Sequence, residues 1–252
     1  MPVTAIILAA GKGLRMKSDL PKVLHEVCGR PMLAYVVDAC RQAGVDRLIG
    51  VIGHQAALVR QAFTQLDGQM TWVEQRHQLG SGHAIMVCRE HLERLSGPVL
   101  VVAGDGPLIR PSTLRALLET HRRENAACTL ATSILANPGR YGRIIRNDQG
   151  ELQGIVEYLD ATEQQRRTKE VNVSLYCFDA ASLLEALGRL TNHNAKNEYY
   201  LTDVLGLLKA RGKTLAAVPA VPQEDVVGVN TLEELQEVNR IMAARSNREG
   251  KA

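Results

Sequence analysis

Apolar and polar positions alternate along the chain in blocks that predict strands and helices in turn. Residues 3–8 (VTAIIL) form a short β-branched apolar run, which is typical of a buried strand. Further strands are predicted over residues 47–52, 70–74 and 98–103. The helices between them are predicted over residues 31–42, 56–63, 85–92 and 112–124. This alternation favours a parallel sheet with helices on both faces.

The second half of the chain is less regular. A hairpin with its turn at residues 147–150 is predicted, and Thr231 is the expected N-cap of a final helix ahead of a frayed tail at residues 245–252. The other strands are predicted over residues 128–135, 171–178 and 214–218, and the helices over 160–166, 180–190, 198–211 and 231–244. The whole pattern predicts one α/β domain over residues 1–252: a Rossmann-like, mixed, mostly parallel sheet flanked by helices, with a smaller β-containing lobe.

Composition and charge narrow the classes of protein. The chain has 252 residues, of which 45% are hydrophobic, so it can bury a sizeable core. Its formal net charge of +3 is mild, which argues against a nucleic-acid binder. No apolar run has membrane-spanning length, and the N-terminus enters a strand without a signal-peptide pattern. We therefore expect a soluble cytoplasmic protein with no nucleic-acid or membrane partner.

A glycine-rich basic loop follows the first strand. Residues 9–16 (AAGKGLRM) carry Lys12 and Arg15, and Lys17 and Lys22 follow. Glycines let backbone N–H groups approach phosphate oxygens, and the cations neutralise their charge, so the loop is a candidate phosphate site. A solvated surface loop is the alternative interpretation.

Asp105 follows the apolar strand at residues 98–103 directly, where open parallel sheets bind their ligands. A carboxylate there is a natural ligand for Mg²⁺ beside phosphates, although an Asp that caps a turn is the alternative. Two common phosphate motifs are absent: the sequence has no GxxxxGK[ST] pattern, and Met16 stands where GxGxxG needs glycine. A P-loop hydrolase and a dehydrogenase are therefore both disfavoured.

The basic loop, LAAGKGLRM at residues 8–16 with LPK at 20–22, resembles the signature of the sugar-phosphate nucleotidylyltransferases. Further matches over about residues 3–243 resemble the uridylyltransferase domain of N-acetylglucosamine-1-phosphate uridylyltransferases. These matches are residues 78–84, 104–108, 141–144, 155–157, 192–203 and 228–230.

The resemblance implies a role for each matching position. Arg15 and Lys22 would be catalytic, binding the triphosphate and steadying the leaving pyrophosphate, and Asp105 and Asn230 would chelate Mg²⁺. The residues expected to bind the nucleotide are Leu8, Ala9, Ala10, Gly11, Gln75, Gly80 and Ser81. The residues expected to line the sugar-phosphate pocket are Gly142, Glu157 and Asn172.

The resemblance also implies an activity. The partners would be UTP and N-acetylglucosamine 1-phosphate, and the Mg²⁺-dependent products would be UDP-N-acetylglucosamine, a cell-wall precursor, and pyrophosphate. Bifunctional members continue into a β-helix acetyltransferase, and we expect no such domain in this chain. The oligomeric state stays open between a monomer and a small homo-oligomer.

The sequence departs from the family pattern at several positions. Leu14 replaces a usual Thr, Ala103 a Tyr and Gly106 a Val. A Lys usual within two residues of Glu157 is missing, since Tyr158 and Leu159 follow, and Val173-Ser174 replaces Thr-Gly. The residues expected to bind the sugar phosphate therefore match the family pattern less well than those expected to bind the nucleotide. Two alternatives therefore stay open. The enzyme could act on another sugar 1-phosphate or nucleotide, or the protein could be a non-catalytic sugar-nucleotide-binding module.

Overall fold

The computed structural model describes residues 1–219 and 221–249. The strands in these residues are β1 (Thr4–Ala9), β2 (Glu26–Val27), β3 (Arg30–Pro31), β4 (Arg47–Ile52), β5 (Met70–Glu74), β6 (Pro98–Ala103), β7 (Cys128–Ile134), β8 (Arg143–Arg146), β9 (Leu152–Val156), β10 (Glu170–Asp179) and β11 (Leu215–Val218). The α-helices are α1 (Met32–Gln42), α2 (Ala56–Ala62), α3 (Ser81–Met86), α4 (Arg89–Leu92), α5 (Pro111–Arg123), α6 (Glu163–Arg166), α7 (Ala180–Leu187), α8 (Asp203–Lys209) and α9 (Leu232–Glu249).

The main sheet has the strand order β11-β7-β10-β6-β1-β4-β5. Strand β10 runs antiparallel to both β6 and β7, whereas the other pairs along this order are parallel. The β8–β9 hairpin joins the sheet through β10, and α6 and α8 pack against it as the smaller β-containing part. The predicted α/β fold with a mixed, mostly parallel sheet is confirmed.

The register of the parallel strands brings their carboxyl ends to one edge. Leu8 lies opposite Ala103, Ala9 opposite Ile52, and Ile52 opposite Glu74. The loops after β1, β4, β5 and β6 therefore meet at this edge, which is where ligands bind in open sheets of this kind.

The central strands are buried on both faces, which is why β1 is a continuous apolar run. Ile7 and Val102 belong to a core covered by α1, α2 and α5. Ile6 and Val101 belong to a second core covered by α3, α4, α7 and α8. Within the described residues, no helix is both long and apolar enough to cross a membrane.

Two predicted helix boundaries near the cleft are wrong. A helix is predicted over residues 85–92, but α3 already begins at Ser81. A second helix is predicted to begin at residue 198, but residues 198–202 form no helix and precede α8. The reason is a set of hydrogen bonds between the two segments. The Tyr199 N–H donates to the Leu79 carbonyl at 2.8 Å, and the Gly82 N–H donates to the Tyr199 carbonyl at 2.7 Å. The second bond uses the Tyr199 carbonyl, which a helix that began at residue 198 would need as an acceptor for its own backbone.

The final helix also differs from its prediction. Helix α9 continues to Glu249, past Ala244, where the sequence pattern predicts a frayed tail, and residues 250–252 of that tail lie outside the described residues. The Arg245 guanidinium pairs with Asp225 and donates to the Leu108 carbonyl at 3.2 Å. These contacts hold the last turns of α9 against the body of the protein.

Asp225 should be a strong stability determinant. Its side chain is only 2% exposed and binds both Arg110 and Arg245. Because Asp225→Ala leaves Arg245 without this carboxylate and Arg110 with Glu224 alone, we expect the free energy of unfolding to fall by about 2 kcal/mol, measured by urea denaturation. Glu224→Ala is the matched control: Glu224 is 59% exposed, and its loss should cost less than about 0.5 kcal/mol. Equal losses in the two variants would contradict the prediction.

Candidate functional site

A cleft of about 1080 Å³ lies at the carboxyl edge of the sheet. Among the residues expected from the sequence, those that line it are Leu8, Ala9, Ala10, Gly11, Arg15, Lys22, Gln75, Gly80, Ser81, Asp105, Glu157, Asn172 and Asn230. Gly142 is not among them, although it lies close to both Glu157 and Asn172. A Cβ atom at Gly142 would come within 3.0 Å of Ile155 and 3.6 Å of a Glu157 oxygen. The absence of a side chain at Gly142 therefore allows close packing against Ile155, and its predicted role at the sugar phosphate stays a prediction.

The basic loop turns sharply at Gly13. This residue has φ +61°, and a Cβ atom there would lie 2.8 Å from Cβ of Lys22. Glycine satisfies both constraints because it has no Cβ and tolerates positive φ. The next residues make one 3-10 turn, in which Met16 is buried and Arg15 is exposed. The turn is thus anchored by Met16 while Arg15 stays accessible from the cleft.

Lys22, Asp105 and Asn230 form a cluster in the lining of the cleft. The Lys22 ammonium pairs with the Asp105 carboxylate and donates to Oδ1 of Asn230 at 2.7 Å. The Asn230 amide is oriented, because its Nδ2 donates to the Gly228 carbonyl at 3.0 Å. Asn230 is held further by the start of α9, where its N–H donates to Glu234 at 2.6 Å. The predicted cap is confirmed in the same turn: Oγ1 of Thr231 accepts from the Glu234 N–H at 3.2 Å.

The same cluster fits a divalent cation. Oxygens of Asp105 and Asn230 converge on one positively charged atom, Nζ of Lys22, so a cation at that position contacts both. Mg²⁺ typically takes one or two protein oxygens and completes its coordination with water and substrate phosphates. Residues 1–219 and 221–249 hold no group of three or more His, Cys, Asp or Glu that could bind a metal by themselves.

Gln75 and Gly80 form a second wall of the cleft. Gln75 is buried, and its Nε2 donates to the Gly80 carbonyl at 3.1 Å and lies 3.0 Å from Nδ1 of His83. Burial lowers the pKa of His83, which favours the neutral imidazole that can accept this hydrogen bond. Gly80 has φ +107°, and a Cβ atom there would lie 2.6 Å from the Tyr199 carbonyl. His83 was not expected from the sequence, because its contact with Gln75 depends on where α3 begins.

Ser81 begins α3, and its Oγ accepts a hydrogen bond from the Leu201 N–H at 3.1 Å. This bond ties the Gln75–Gly80 wall to the segment that carries Thr202. Thr202 in turn donates to Oε1 of Glu157 at 3.1 Å. Thr202 also lines the cleft, and its place in the EYYLTD motif was the only signal that could have indicated it.

Glu157 and Asn172 form the third wall. Burial raises the pKa of Glu157, and the hydrogen bond from Thr202 opposes that shift. Asn172 is fixed from both ends of its amide: Oδ1 accepts from the Ser174 N–H at 3.0 Å, and Nδ2 donates to the Tyr176 hydroxyl at 2.7 Å. The wall therefore presents one carboxyl and one amide in set orientations, which suits the recognition of hydroxyl groups.

Asp203 lies behind this wall and should make stability depend on pH. Burial, with repulsion from Glu157 and Asp160, raises its pKa to about 6, against an unfolded value near 4. Because the folded protein binds this proton more tightly than the unfolded chain does, the contribution of Asp203 to the free energy of unfolding is fully present below about pH 4 and is lost as pH rises through about 6. Asp203→Asn imitates the protonated carboxyl. We therefore expect its free energy of unfolding to exceed that of wild type by about 1 kcal/mol at pH 7.5 and to equal it at pH 4. The value at pH 7.5 is reduced for solvent screening, because Asp203 is only half-buried. Denaturation at both pH values, with the exposed Glu163→Gln as control, tests this; a gain that persists at pH 4 contradicts it.

Comparison with known proteins gives three kinds of match. The family model for the MobA-like NTP transferase domain matches residues 5–200. "Bifunctional protein GlmU" of Geobacillus sp. (strain WCH70) is 46% identical over 241 residues, covering 96% of this chain and 52% of that protein. The protein of the same name from Geobacter metallireducens is 46% identical over 247 residues, covering 98% of this chain and 52% of the relative. The chain thus spans about half the length of these curated relatives.

A solved structure supports the fold. The crystal structure of a UDP-glucose pyrophosphorylase complexed with UDP-glucose aligns with a TM-score of 0.78 and 19% sequence identity. The alignment covers 97% of this chain and 100% of the other. At this level of identity the match establishes the shared fold.

Proposed function

Because the chain belongs to the family of MobA-like NTP transferase domains, we propose that it is an enzyme that transfers UMP from UTP to N-acetylglucosamine 1-phosphate. The products are UDP-N-acetylglucosamine and pyrophosphate. One observation carries the proposal: a single cleft holds the basic loop, the Lys22–Asp105–Asn230 cluster and the Glu157–Asn172 wall. The 46% identity to GlmU proteins along almost the whole chain supports the choice of substrate.

Each part of the cleft has a task in this reaction. Backbone groups of Leu8 to Gly11, with Gln75, Gly80 and Ser81, bind the uridine; Glu157 and Asn172 bind the sugar. A phosphate oxygen of the sugar phosphate attacks the α-phosphorus of UTP, the new P–O bond forms, and the bond to pyrophosphate breaks on the opposite side. The attacking oxygen is already ionised near neutral pH, so no side chain needs to remove a proton. Catalysis then rests on positioning and on charge stabilisation.

Arg15 and Lys22 supply positive charge where pyrophosphate leaves. Asp105 and Asn230 would hold Mg²⁺, which would supply further charge neutralisation of the triphosphate. Lys22 must first release both of these oxygens, because its ammonium occupies the position that they share. The released ammonium is then free to bind phosphate oxygens. Lys22 thus orients Asp105 and Asn230 and carries positive charge that can serve the triphosphate.

A pyrophosphate-release panel tests the proposal. UTP, dTTP and CTP are each combined with N-acetylglucosamine 1-phosphate and glucose 1-phosphate, with and without Mg²⁺. We expect the fastest release from UTP with N-acetylglucosamine 1-phosphate, and only when Mg²⁺ is present. Faster release from another pair would support nucleotidyl transfer but contradict the proposed nucleotide or sugar 1-phosphate. Binding of UDP-sugar without release from any pair would favour the non-catalytic alternative.

A further inference from the structure

Among the described residues, the lining around the Glu157–Asn172 wall, which we call the acceptor side, carries no lysine or arginine. It consists of residues 141, 157, 172–176, 198, 201 and 202. These include two carboxylates, those of Glu157 and Glu198. The lysines and arginines that line the rest of the cleft are Lys12, Arg15, Lys22, Arg76 and Arg110. A sugar 1-phosphate carries about two negative charges at neutral pH, so the carboxylates of the acceptor side repel it as it approaches.

Three arginines surround the ring of Tyr158, just outside this lining. Tyr158 directly follows Glu157 along the chain and is half-buried. The guanidinium carbons of Arg166, Arg143 and Arg140 lie 4.7, 5.6 and 5.8 Å from the centre of its ring. These distances are typical of cation–π contacts, which hold the three side chains around one aromatic group. We call Arg140, Tyr158 and Arg166 the arginine patch.

Arg143 is buried and holds the patch together. Its guanidinium donates to the Gly139 carbonyl at 2.8 Å and to the Arg166 carbonyl at 3.2 Å, so it ties the turn before Arg140 to the end of α6. Burial lowers the pKa of Arg143; Tyr158 opposes this shift, and the charge of Arg166 adds to it. The donors of Arg143 thus serve the backbone, and its role in the patch is structural.

Arg140 and Arg166, by contrast, are exposed and keep unused donors. Within the described part of the chain, Arg166 uses only its Nε, which donates to the Tyr158 carbonyl at 3.2 Å, and the Arg140 guanidinium makes no hydrogen bond. Neither pairs with a carboxylate of residues 1–219 or 221–249. Two planar guanidinium groups that lack a counter-charge and lie on one ring suit an oxyanion, which can accept several of their hydrogen bonds.

We propose that the arginine patch is an anion site that captures the phosphate group of the sugar 1-phosphate before the sugar enters the acceptor side of the cleft. This inference rests on the proposed function. The patch flanks the acceptor side, because Arg140 precedes Tyr141 and Tyr158 follows Glu157, and both of these neighbours line the cleft. Its charge offsets the repulsion from the carboxylates and raises the local concentration of a dianion at this side.

The kinetic test combines Arg140→Gln with Arg166→Gln and varies the salt concentration. We expect kcat/KM for N-acetylglucosamine 1-phosphate to fall by about tenfold at about 20 mM salt but by less than about twofold at about 300 mM, because salt screens the attraction. The value of kcat should stay the same, since the patch acts before the sugar is seated. The control combines Arg47→Gln with Arg94→Gln, which removes the same charge from two exposed arginines near the start of β4, at the opposite edge of the sheet. It should change kcat/KM by less than about twofold at either salt concentration.

Two further variants separate capture of the phosphate from a structural role. Arg140→Lys with Arg166→Lys keeps the charge and should recover most of kcat/KM at low salt, whereas damage to the fold would persist at high salt and lower the unfolding temperature. Lys196 is the other cation near this side, 5.9 Å from the ring of Tyr200. If Lys196→Gln shows the salt-dependent loss and the arginine variants do not, the inference is overturned.

NMR of the arginine Nε–H signals, assigned with the single glutamine variants, detects binding without turnover. The Arg140 and Arg166 signals should shift on titration with N-acetylglucosamine 1-phosphate and with inorganic phosphate, but not with neutral N-acetylglucosamine. If no pair of substrates releases pyrophosphate, the proposed function fails, and this titration still decides whether the patch binds the sugar phosphate.

Three results would overturn the inference while leaving the proposed function intact. The first is normal pyrophosphate release with no shift of either arginine signal. The second is a shift with inorganic phosphate alone, which would mean an adventitious ion only. The third is a loss of kcat/KM in the double glutamine variant that does not depend on salt.

Discussion

Replacing Arg15 with alanine should lower kcat with UTP and N-acetylglucosamine 1-phosphate by about 10²- to 10³-fold. Arg15 is exposed, lines the cleft and makes no ion pair with any residue in 1–219 or 221–249, so its guanidinium is available for phosphate. One charged hydrogen-bond donor aimed at a leaving group is worth about that factor. Because Arg15 supports no other side chain, the unfolding temperature should not change.

Lys17→Ala is the matched control for Arg15→Ala. Lys17 is a cation of the same loop, also exposed, but it does not line the cleft. Its loss should change turnover by less than about threefold, because it alters only the electrostatic potential around the loop and removes no direct contact in the cleft. If Arg15→Ala keeps near-normal turnover, or if both variants lose the same activity, Arg15 has no direct role at the triphosphate.

Replacing Asp105 with alanine should reduce turnover by at least about 10²-fold and should also weaken binding of a divalent cation in the presence of UTP. Asp105 is the charged member of the oxygen pair that converges on Lys22, so its loss removes most of the negative charge at that position. Titration with Mn²⁺, followed by electron paramagnetic resonance, measures the cation affinity directly. Tight Mn²⁺ binding retained by Asp105→Ala would exclude the proposed metal position.

Two further variants sharpen the Asp105 result. Asp148→Ala removes an exposed carboxylate from the β8–β9 turn, far along the chain from the cluster, and should leave turnover and cation affinity unchanged.

Lys22→Met should lower turnover but tighten Mn²⁺ binding in the absence of UTP, because the ammonium no longer competes for the oxygens of Asp105 and Asn230. Weaker Mn²⁺ binding in Lys22→Met would contradict the exchange of Lys22 for a cation.

The predicted elements that match the structure are those with a strong local pattern. Strands β1, β4, β5 and β6 match their predictions closely. For β1, β4 and β6 the reason is burial on both faces, which requires a continuous apolar run, whereas β5 lies at the edge of the sheet and is only partly buried. Helix α1 matches for a similar reason, since Pro31 precedes it and apolar residues repeat at helical spacing up to Gln42.

The mismatches arise where contacts with distant segments, and not the local pattern, decide the structure. Residues 198–202 have a helical pattern, but hydrogen bonds with residues 79–82 hold them outside any helix. The end of α9 looks like a polar tail in sequence, yet the pairing of Arg245 with Asp225 keeps its last turns helical. Neither contact has a local signal.

The sequence by itself determined the strands of the sheet, the glycine-basic loop after β1 and the residue types that phosphates and a hard cation require, because each depends on neighbours within a few positions. The tertiary structure alone decided how these parts meet. Lys22 bonds Asn230 across 208 positions, and Leu175 comes opposite Val102 only through the register of β10 on β6. Such contacts depend on strand order, register and loop path, which arise from packing over the whole chain and leave no trace in the local pattern.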